Sequence, residues 1–181
     1  MNHKETRTLI VAVTSFLIIG TFVYLYAHPA PQLPDGQPLY KPNPAVEALP
    51  WTQDLTAAMA LAEESGKPIL ANFTGSDWCI ACVYMGDEVF ATPQFAEWAE
   101  DNAVLMKVDF PESFQLPEEI ERQNTLMLEQ LGIQSFPTIV FFEHTGRVIG
   151  ALGYMPGGPE NWITQAEQIL SKRVAQAVDI E

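Results

Sequence analysis

The stretch KPILANFTGSDWCIACVYMGDEVFATPQF, residues 67–95, decides the fold of this chain. Its first part, Pro68–Phe73, is a short apolar run that is typical of a strand buried on both faces. The segment from Cys79 to Val89 has helical character. Thr92 and Pro93 then supply an N-cap and a first helical position for another helix. A buried strand followed by two helices predicts an α/β domain.

The chain after residue 50 continues to alternate between helix and strand. Further helices are predicted from Leu55 to Gly66, from Pro117 to Gly132 and from Pro159 onward, and further strands over 103–108, 138–142 and 148–152. The connection between the last two strands is too short for a parallel crossover, so these strands form an antiparallel hairpin. We therefore expect residues 51–181 to form a mixed sheet with helices on both faces.

The chemistry is concentrated in Cys79 and Cys82, the two cysteines of the chain. At positions i and i+3 they share one helix face and can close a small disulfide. Cys79 would lie at the helix N-terminus, where the dipole and free N–H groups stabilise a thiolate, and Cys82 would be shielded one turn further in. This predicts that Cys79 attacks a partner disulfide and that Cys82 resolves the mixed disulfide.

Other uses of a cysteine pair fit this sequence less well. Haem attachment needs a histidine after the second cysteine, where this chain has Val83. Zinc needs two more ligands, but His3 and His28 lie before or at the edge of an apolar N-terminal segment, which leaves His144. We expect no metal and no diffusible cofactor, because the cysteine pair itself carries the electrons. A non-catalytic binding module with a structural disulfide is the alternative from another class.

A second motif, GIQSFPTIVFF at residues 132–142, precedes the hairpin. With WCIAC after a buried strand, it resembles the thioredoxin fold over Trp51 to Ala177. Residues 67–95 are similar to exported bacterial thioredoxin-like proteins and to the C-terminal periplasmic domain of the thiol:disulfide interchange reductase DsbD. The resemblance implies a cis Phe136–Pro137 bond facing the disulfide. It also implies a substrate-binding surface of Trp78, Phe136 and Pro137, on which the Phe136 backbone pairs with a substrate strand.

The sequence departs from the thioredoxin pattern around the cysteines. Thioredoxins usually carry a buried Asp in the strand before the motif, which assists proton transfer with the second cysteine. The best match here is Asn72, which cannot titrate, so Glu88 is the other candidate for a proton relay, although its position also suits an exposed helix carboxylate. Asp77, Asp87 and Glu88 lie near the motif, and negative charge opposes a thiolate. This favours the reductase direction, with a disulfide oxidase or isomerase as the alternative.

The N-terminal segment Leu9–Ala27 carries no charged residue over 19 positions and is long enough to cross a bilayer as a helix. Lys4 and Arg7 precede it, which places the rest of the chain outside the cytoplasm. We expect residues 1–27 to be a single-pass transmembrane anchor in the inner membrane, with a cleaved signal sequence and secretion as the alternative. Residues 28–50 hold seven of the 14 prolines and predict an extended linker without helix.

The charge balance excludes one class of partner. The chain has 9 Lys and Arg against 23 Asp and Glu, and it lacks the basic cluster that phosphate binding needs, so no nucleic acid is expected. The sequence therefore predicts a membrane-anchored thiol–disulfide oxidoreductase in the periplasm or at the cell exterior. Its expected partners are protein thiol or disulfide substrates and an electron donor that the sequence does not identify.

Overall fold

The computed structural model describes residue 41 and residues 43–178, with side chains up to residue 172, and these residues belong to one compact unit. The helices are α1 (Pro44–Glu47), α2 (Leu55–Ser65), α3 (Ile80–Met85), α4 (Pro93–Asn102), α5 (Glu118–Leu131) and α6 (Gly158–Val178). A π-helical turn, Gly86–Phe90, continues α3. The strands are β1 (Ile69–Thr74), β2 (Val104–Asp109), β3 (Thr138–Phe142) and β4 (Val148–Gly153).

The four strands form one mixed sheet in the order β2-β1-β3-β4. β1 runs parallel to β2, from Ile69 opposite Val104 to Thr74 opposite Asp109. β3 is antiparallel to both β1 and β4. The predicted mixed sheet and the antiparallel hairpin are therefore confirmed.

Helices cover both faces of the sheet, as predicted. On one face, aromatic side chains of α4 and α6, among them Phe95, Trp98 and Trp162, pack with Leu70 of β1. On the other face, α2 and α5 pack against alternate β1 residues such as Phe73. All six residues of β1 are buried, which confirms the prediction of a strand covered on both sides.

Helix termini follow the signals in the sequence. Thr92 caps α4 by accepting a hydrogen bond from the backbone N–H of Phe95 at 3.2 Å, and Pro93 is the first helical residue. α2 ends at Gly66, whose φ of 69° is the left-handed conformation that glycine adopts at little cost. The helix expected from Cys79 to Val89 differs in one respect, because its second half widens into the π-helical turn.

The prediction that residues 28–50 contain no helix is wrong at Pro44–Glu47. Pro44 takes the first helical position, where its missing N–H is not needed, and the Asn43 side chain caps the turn by accepting from Ala45 N at 2.9 Å. Val46 then packs against the core, and the Trp51 indole N–H donates to the Val46 carbonyl at 2.9 Å. Short as it is, α1 is part of the folded domain.

The predicted anchor, residues 1–27, and most of the predicted linker lie outside the described residues. Within the part of the chain that the structure describes, no helix combines the length and apolarity that crossing a membrane requires.

Candidate active site

Cys79 and Cys82 form a disulfide at the start of α3, with 5.2 Å between their Cα atoms. The loop 75–79 leads to them directly from the end of β1. Cys79 is the N-cap of α3, and its sulfur accepts a hydrogen bond from the Cys82 backbone N–H at 3.2 Å. The two residues are 7% and 8% exposed, which confirms that Cys82 is shielded and shows that Cys79 is buried to the same extent in the disulfide form. The two cysteines differ in their position in the helix, because Cys79 is the N-cap of α3 and Cys82 lies within α3.

Trp78, Phe136 and Pro137 come together at the cysteine end of the sheet. The Trp78 ring packs edge-on against Phe136 with 5.8 Å between ring centroids. The Phe136–Pro137 peptide bond is cis, as predicted. Because Phe73 lies opposite Thr138, Pro137 is at the same end of the sheet as the loop that carries Cys79. The substrate-binding role of these three residues stays a prediction.

The position of Trp78 depends on contacts that the sequence analysis did not include. Its indole N–H donates to the Phe110 carbonyl at 2.7 Å, and the Phe110 ring stacks on Phe136 with centroids 5.2 Å apart. A Cβ added at Gly75 would lie 2.3 Å from the Trp78 ring, so only glycine lets the indole lie over the backbone there.

Asp77 holds the loop that follows β2. Its carboxylate is 3% exposed and accepts hydrogen bonds from the backbone N–H groups of Glu112, at 3.1 Å, and Ser113, at 2.6 Å. Burial raises the pKa of Asp77, but the hydrogen bonds from Ser113 and Glu112 outweigh it, so the pKa lies below its ordinary value. The sequence analysis counted Asp77 as a nearby negative charge and missed this clamp on residues 110–116.

The structure separates the two candidates for a proton relay. Asn72 is 7% exposed and lines a cavity of about 60 Å³ together with Cys82. Its Oδ1 atom has no hydrogen-bond partner among the described residues. Glu88 is exposed, accepts from the Tyr154 hydroxyl at 2.8 Å and does not line this cavity. Asn72 therefore lies beside Cys82 as the resemblance implies, whereas Glu88 does not, and neither role is established by these contacts.

Two further residues of this cavity were missed by the sequence analysis. Lys107 of β2 lies opposite Asn72 in the parallel register and forms an ion pair with Glu47 of α1, with Nζ 2.9 Å from Oε1. Both residues line the cavity with Cys82. The sequence does indicate Lys107, because it is the one charged residue in the predicted apolar strand 103–108. No local pattern indicates Glu47, which comes from the segment expected to be an open linker.

Metal ligands do not assemble around the disulfide. Over residue 41 and residues 43–178, no three His, Cys, Asp or Glu side chains lie together as a metal site would require. The absence of a cofactor stays a prediction.

The fold and the cysteine pair of this chain are similar to those of known proteins. The model of the family described as thioredoxin-like domain matches residues 55–167. The chain belongs to the thioredoxin-like family. It is 30% identical to the disulfide bond reductase DsbH of Chlamydia pneumoniae over 139 residues, which are 76% of this chain and 83% of that protein. The predicted family resemblance is thus confirmed.

Two further comparisons define the extent of the similarity. The chain is 31% identical to the thiol:disulfide interchange protein DsbD of Cronobacter sakazakii over 90 residues, half of this chain but only 14% of that protein. The solved structure of a DsbH oxidoreductase superposes with a TM-score of 0.65 and 26% identity, over 80% of this chain and 93% of the other. Together with the Cys79–Cys82 disulfide, these relatives make the chain a thiol–disulfide oxidoreductase of the DsbH and DsbD type.

Proposed function

We propose that this protein reduces disulfides in protein substrates outside the cytoplasm, with its N-terminal segment as a membrane anchor. The observation that carries the proposal is the Cys79–Cys82 disulfide at the start of α3, beside the aromatic surface of Trp78 and Phe136. The family membership supports the chemistry, and the name of the C. pneumoniae relative, a disulfide bond reductase, supports the direction.

The exchange moves two electrons and uses both cysteines. In the reduced protein, the Cys79 thiolate attacks one sulfur of a substrate disulfide and expels the other as a thiolate. Cys82 then loses its proton and attacks Cys79, which closes the Cys79–Cys82 disulfide and releases the second substrate thiolate. The substrate gains two electrons and leaves as two thiolates that take protons from solvent, while the protein loses two electrons and the Cys82 proton, so a dithiol donor must reduce Cys79–Cys82 before the next cycle.

The electrostatics around Cys79 support the reductase direction. A strong oxidant needs a greatly stabilised thiolate in its reduced form. Here the Cys79 sulfur accepts a hydrogen bond from the uncharged Cys82 N–H, and no Lys, Arg or His occurs between residues 76 and 88. Asp77, two residues before Cys79, has a pKa lowered by hydrogen bonds from Ser113 and Glu112, so this segment carries negative and no positive charge at neutral pH.

The surface around the disulfide suits a protein rather than a small thiol. Ile80, Tyr84 and Phe114 are large apolar side chains that are each about half exposed, at 52%, 49% and 48%. Trp78 and Phe136 pack edge-on at the cysteine end of the sheet, and exposed apolar side chains are of the kind that contact a partner protein. We propose that Phe136 and the cis Pro137 hold an extended substrate segment there by backbone pairing.

The proposed location rests on the sequence. The uncharged run Leu9–Ala27 with Lys4 and Arg7 before it suits a single-pass anchor in the inner membrane, with the catalytic domain in the periplasm or at the cell exterior. Alkaline carbonate extraction and protease treatment of intact spheroplasts test this. A membrane-bound protein whose domain is digested supports the anchor, whereas a soluble product beginning near residue 28 supports cleavage and secretion.

The direction is tested by the reduction potential of the Cys79–Cys82 couple. Equilibration against glutathione or dithiothreitol buffers should give about −270 mV, the value typical of thioredoxin. A value above about −180 mV, in the range of isomerases and oxidants, would overturn the reductase direction while leaving the exchange chemistry intact. Insulin reduction that is equal in wild type and Cys79→Ser would instead indicate a binding module with a structural disulfide.

A further inference from the structure

The cavity beside Cys82 is lined by both apolar and polar side chains and reaches from the second cysteine to α1. Its volume of about 60 Å³ exceeds the roughly 15 Å³ that one water molecule needs by this measure. Its walls include Cys82, Asn72, Lys107 and Glu47, which come from four different elements. A buried amide oxygen without a partner, such as Asn72 Oδ1, is the kind of group that a water molecule satisfies.

Resolution of a mixed disulfide requires a base near Cys82. The thiolate, not the thiol, attacks, and a free thiol with a pKa of about 8.5 is mostly protonated at neutral pH. Asn72, the residue beside Cys82 on β1, has no titratable group. Glu88 accepts from Tyr154 on the outer surface and lies outside the cavity lining.

Glu47 combines a carboxylate in the cavity wall with a route to solvent. Its side chain is 47% exposed, and its Oε1 atom lies 2.9 Å from Lys107 Nζ, whose side chain is only 15% exposed. The position of α1 is fixed independently, because the Asn43 side-chain amide donates to Asp87 of the π-helical turn at 2.7 Å. Glu47 therefore lines the cavity and is also in contact with solvent.

We propose that Glu47, held by Lys107, accepts the proton of the Cys82 thiol through water in this cavity. The inference rests on the proposed exchange function but not on its direction. In resolution, the S–H bond of Cys82 breaks and its proton passes through water to the Glu47 carboxylate. The sulfur keeps the electron pair and attacks Cys79, and Glu47 returns the proton to solvent. In the reverse step, the same path returns a proton to Cys82 when it leaves as a thiolate.

The other charged groups around this path are few. Lys107 of β2 lines the cavity, and Asp109, whose Oδ2 lies 3.8 Å from Lys107 Nζ, is next to it but outside the lining. Asp87 of the π-helical turn and Lys41, which precedes α1, also line the cavity. Asp109 also accepts from the Ser76 N–H and hydroxyl, and Asp87 accepts from Asn43, so Glu47 is the cavity-lining carboxylate that pairs with Lys107.

The test separates the two cysteine steps in the full chain. A stopped-flow reaction of the reduced protein with an aromatic disulfide reagent releases one coloured thiolate when Cys79 attacks. A second is released, independently of reagent concentration, when Cys82 resolves the mixed disulfide. The variants are Glu47→Gln, the matched control Glu63→Gln on the exposed face of α2, and Glu47→Gln combined with Asn72→Asp, each measured from about pH 6 to pH 9.

We expect Glu47→Gln to slow the second phase roughly tenfold near neutral pH, less than the roughly hundredfold typical of a general base, because solvent also takes up the Cys82 proton. The first phase and the Glu63→Gln control should match wild type. The difference should close above the free-thiol pKa of about 8.5, where solvent ionises Cys82, and Asn72→Asp should restore the second phase.

Other outcomes overturn the proposal. A second phase unchanged in Glu47→Gln at every pH, or both phases slowed equally without pH dependence, would show that α1 has no part in proton transfer. If the wild-type protein itself releases a single thiolate, the exchange function fails instead, which distinguishes the two failures.

Discussion

The two sides of the Cys79–Cys82 disulfide are built from opposite chemistry. On the aromatic side, formed by Trp78, Phe110 and Phe136, rings pack on one another with centroids 5.2 and 5.8 Å apart. On the polar side, formed by Asn72, Lys107 and Glu47, an ion pair and a buried amide surround a cavity. Both cysteines are about equally buried, so we attribute the difference in their roles to their surroundings and not to their depth.

The largest expected effect on disulfide exchange comes from replacing the cysteines, and the two replacements should have different results. Cys79→Ser should lower disulfide exchange by at least about a hundredfold, because it removes the attacking sulfur at the aromatic side. Cys82→Ser should leave the first attack intact and accumulate mixed disulfides with protein substrates, which non-reducing electrophoresis and mass spectrometry would reveal.

Alkylation rates of the reduced protein provide the matching control. Iodoacetamide should modify Cys79 several-fold faster than Cys82, because the helix N-terminus and the Cys82 N–H stabilise the Cys79 thiolate. Equal rates, or a faster Cys82, would contradict the assignment of roles and with it the contrast between the two sides.

The next effect tests the packing of the aromatic side alone. Gly75→Ala should displace Trp78, because the new methyl group would lie 2.3 Å from its ring, and should destabilise the fold by about 1–3 kcal/mol. Exchange with a protein substrate should fall more than exchange with a small disulfide.

Gly86→Ala is the matched control on the polar side. Its methyl group would meet Val46 at 3.7 Å, which is an ordinary van der Waals contact. This variant should stay within about 0.5 kcal/mol of wild type in urea unfolding. Equal losses in the two variants would show that the position of Trp78 is not specifically required.

The contribution of Asp77 to stability, through its hydrogen bonds to the loop after β2, should depend on pH. Asp77→Asn should lower the free energy of unfolding at pH 7 by about 1–2 kcal/mol, because it removes buried charge-assisted hydrogen bonds to Glu112 and Ser113. The pKa of Asp77 in the folded protein lies below its ordinary value of 3.8, so its contribution is complete above that pH and is lost as pH falls through the folded pKa.

The stability curves of wild type and Asp77→Asn should therefore converge at low pH. Urea titrations between about pH 2 and pH 7 measure this, with Asp101→Asn on the exposed end of α4 as the control. A constant difference across the range would mean that the Asp77 side chain stabilises the loop without its charge.

The features that sequence could predict are those with local signals. The buried run before the cysteines, the Thr92–Pro93 helix start and the Gly66 helix end are each encoded within a few residues, and each is found as predicted. Cys79 and Cys82 were found by their spacing, and the cis Phe136–Pro137 bond by family resemblance.

The features that sequence missed depend on which elements become neighbours. Lys107 meets Asn72 only because β1 and β2 pair in one particular register, and Glu47 joins them only because α1 folds back onto the π-helical turn. The Asp77 clamp likewise joins residues 35 and 36 positions apart. Charge near a motif can be counted from sequence, but the direction in which a carboxylate points cannot.

The smallest expected effect concerns Glu88, the relay candidate that lies outside the cavity. Its carboxylate accepts from the Tyr154 hydroxyl at 2.8 Å, and this hydrogen bond is the main cause that raises the pKa of Tyr154 above 10.0. Glu88→Ala should therefore lower the pKa of Tyr154 toward that value, as measured by phenolate absorbance with Tyr154→Phe as the control. The resolving step of Cys82 should change by less than about twofold, because Glu88 is separate from the polar side. A tenfold slower resolving step in Glu88→Ala, with wild-type rates in Glu47→Gln, would reverse the assignment and make the outer carboxylate the proton acceptor.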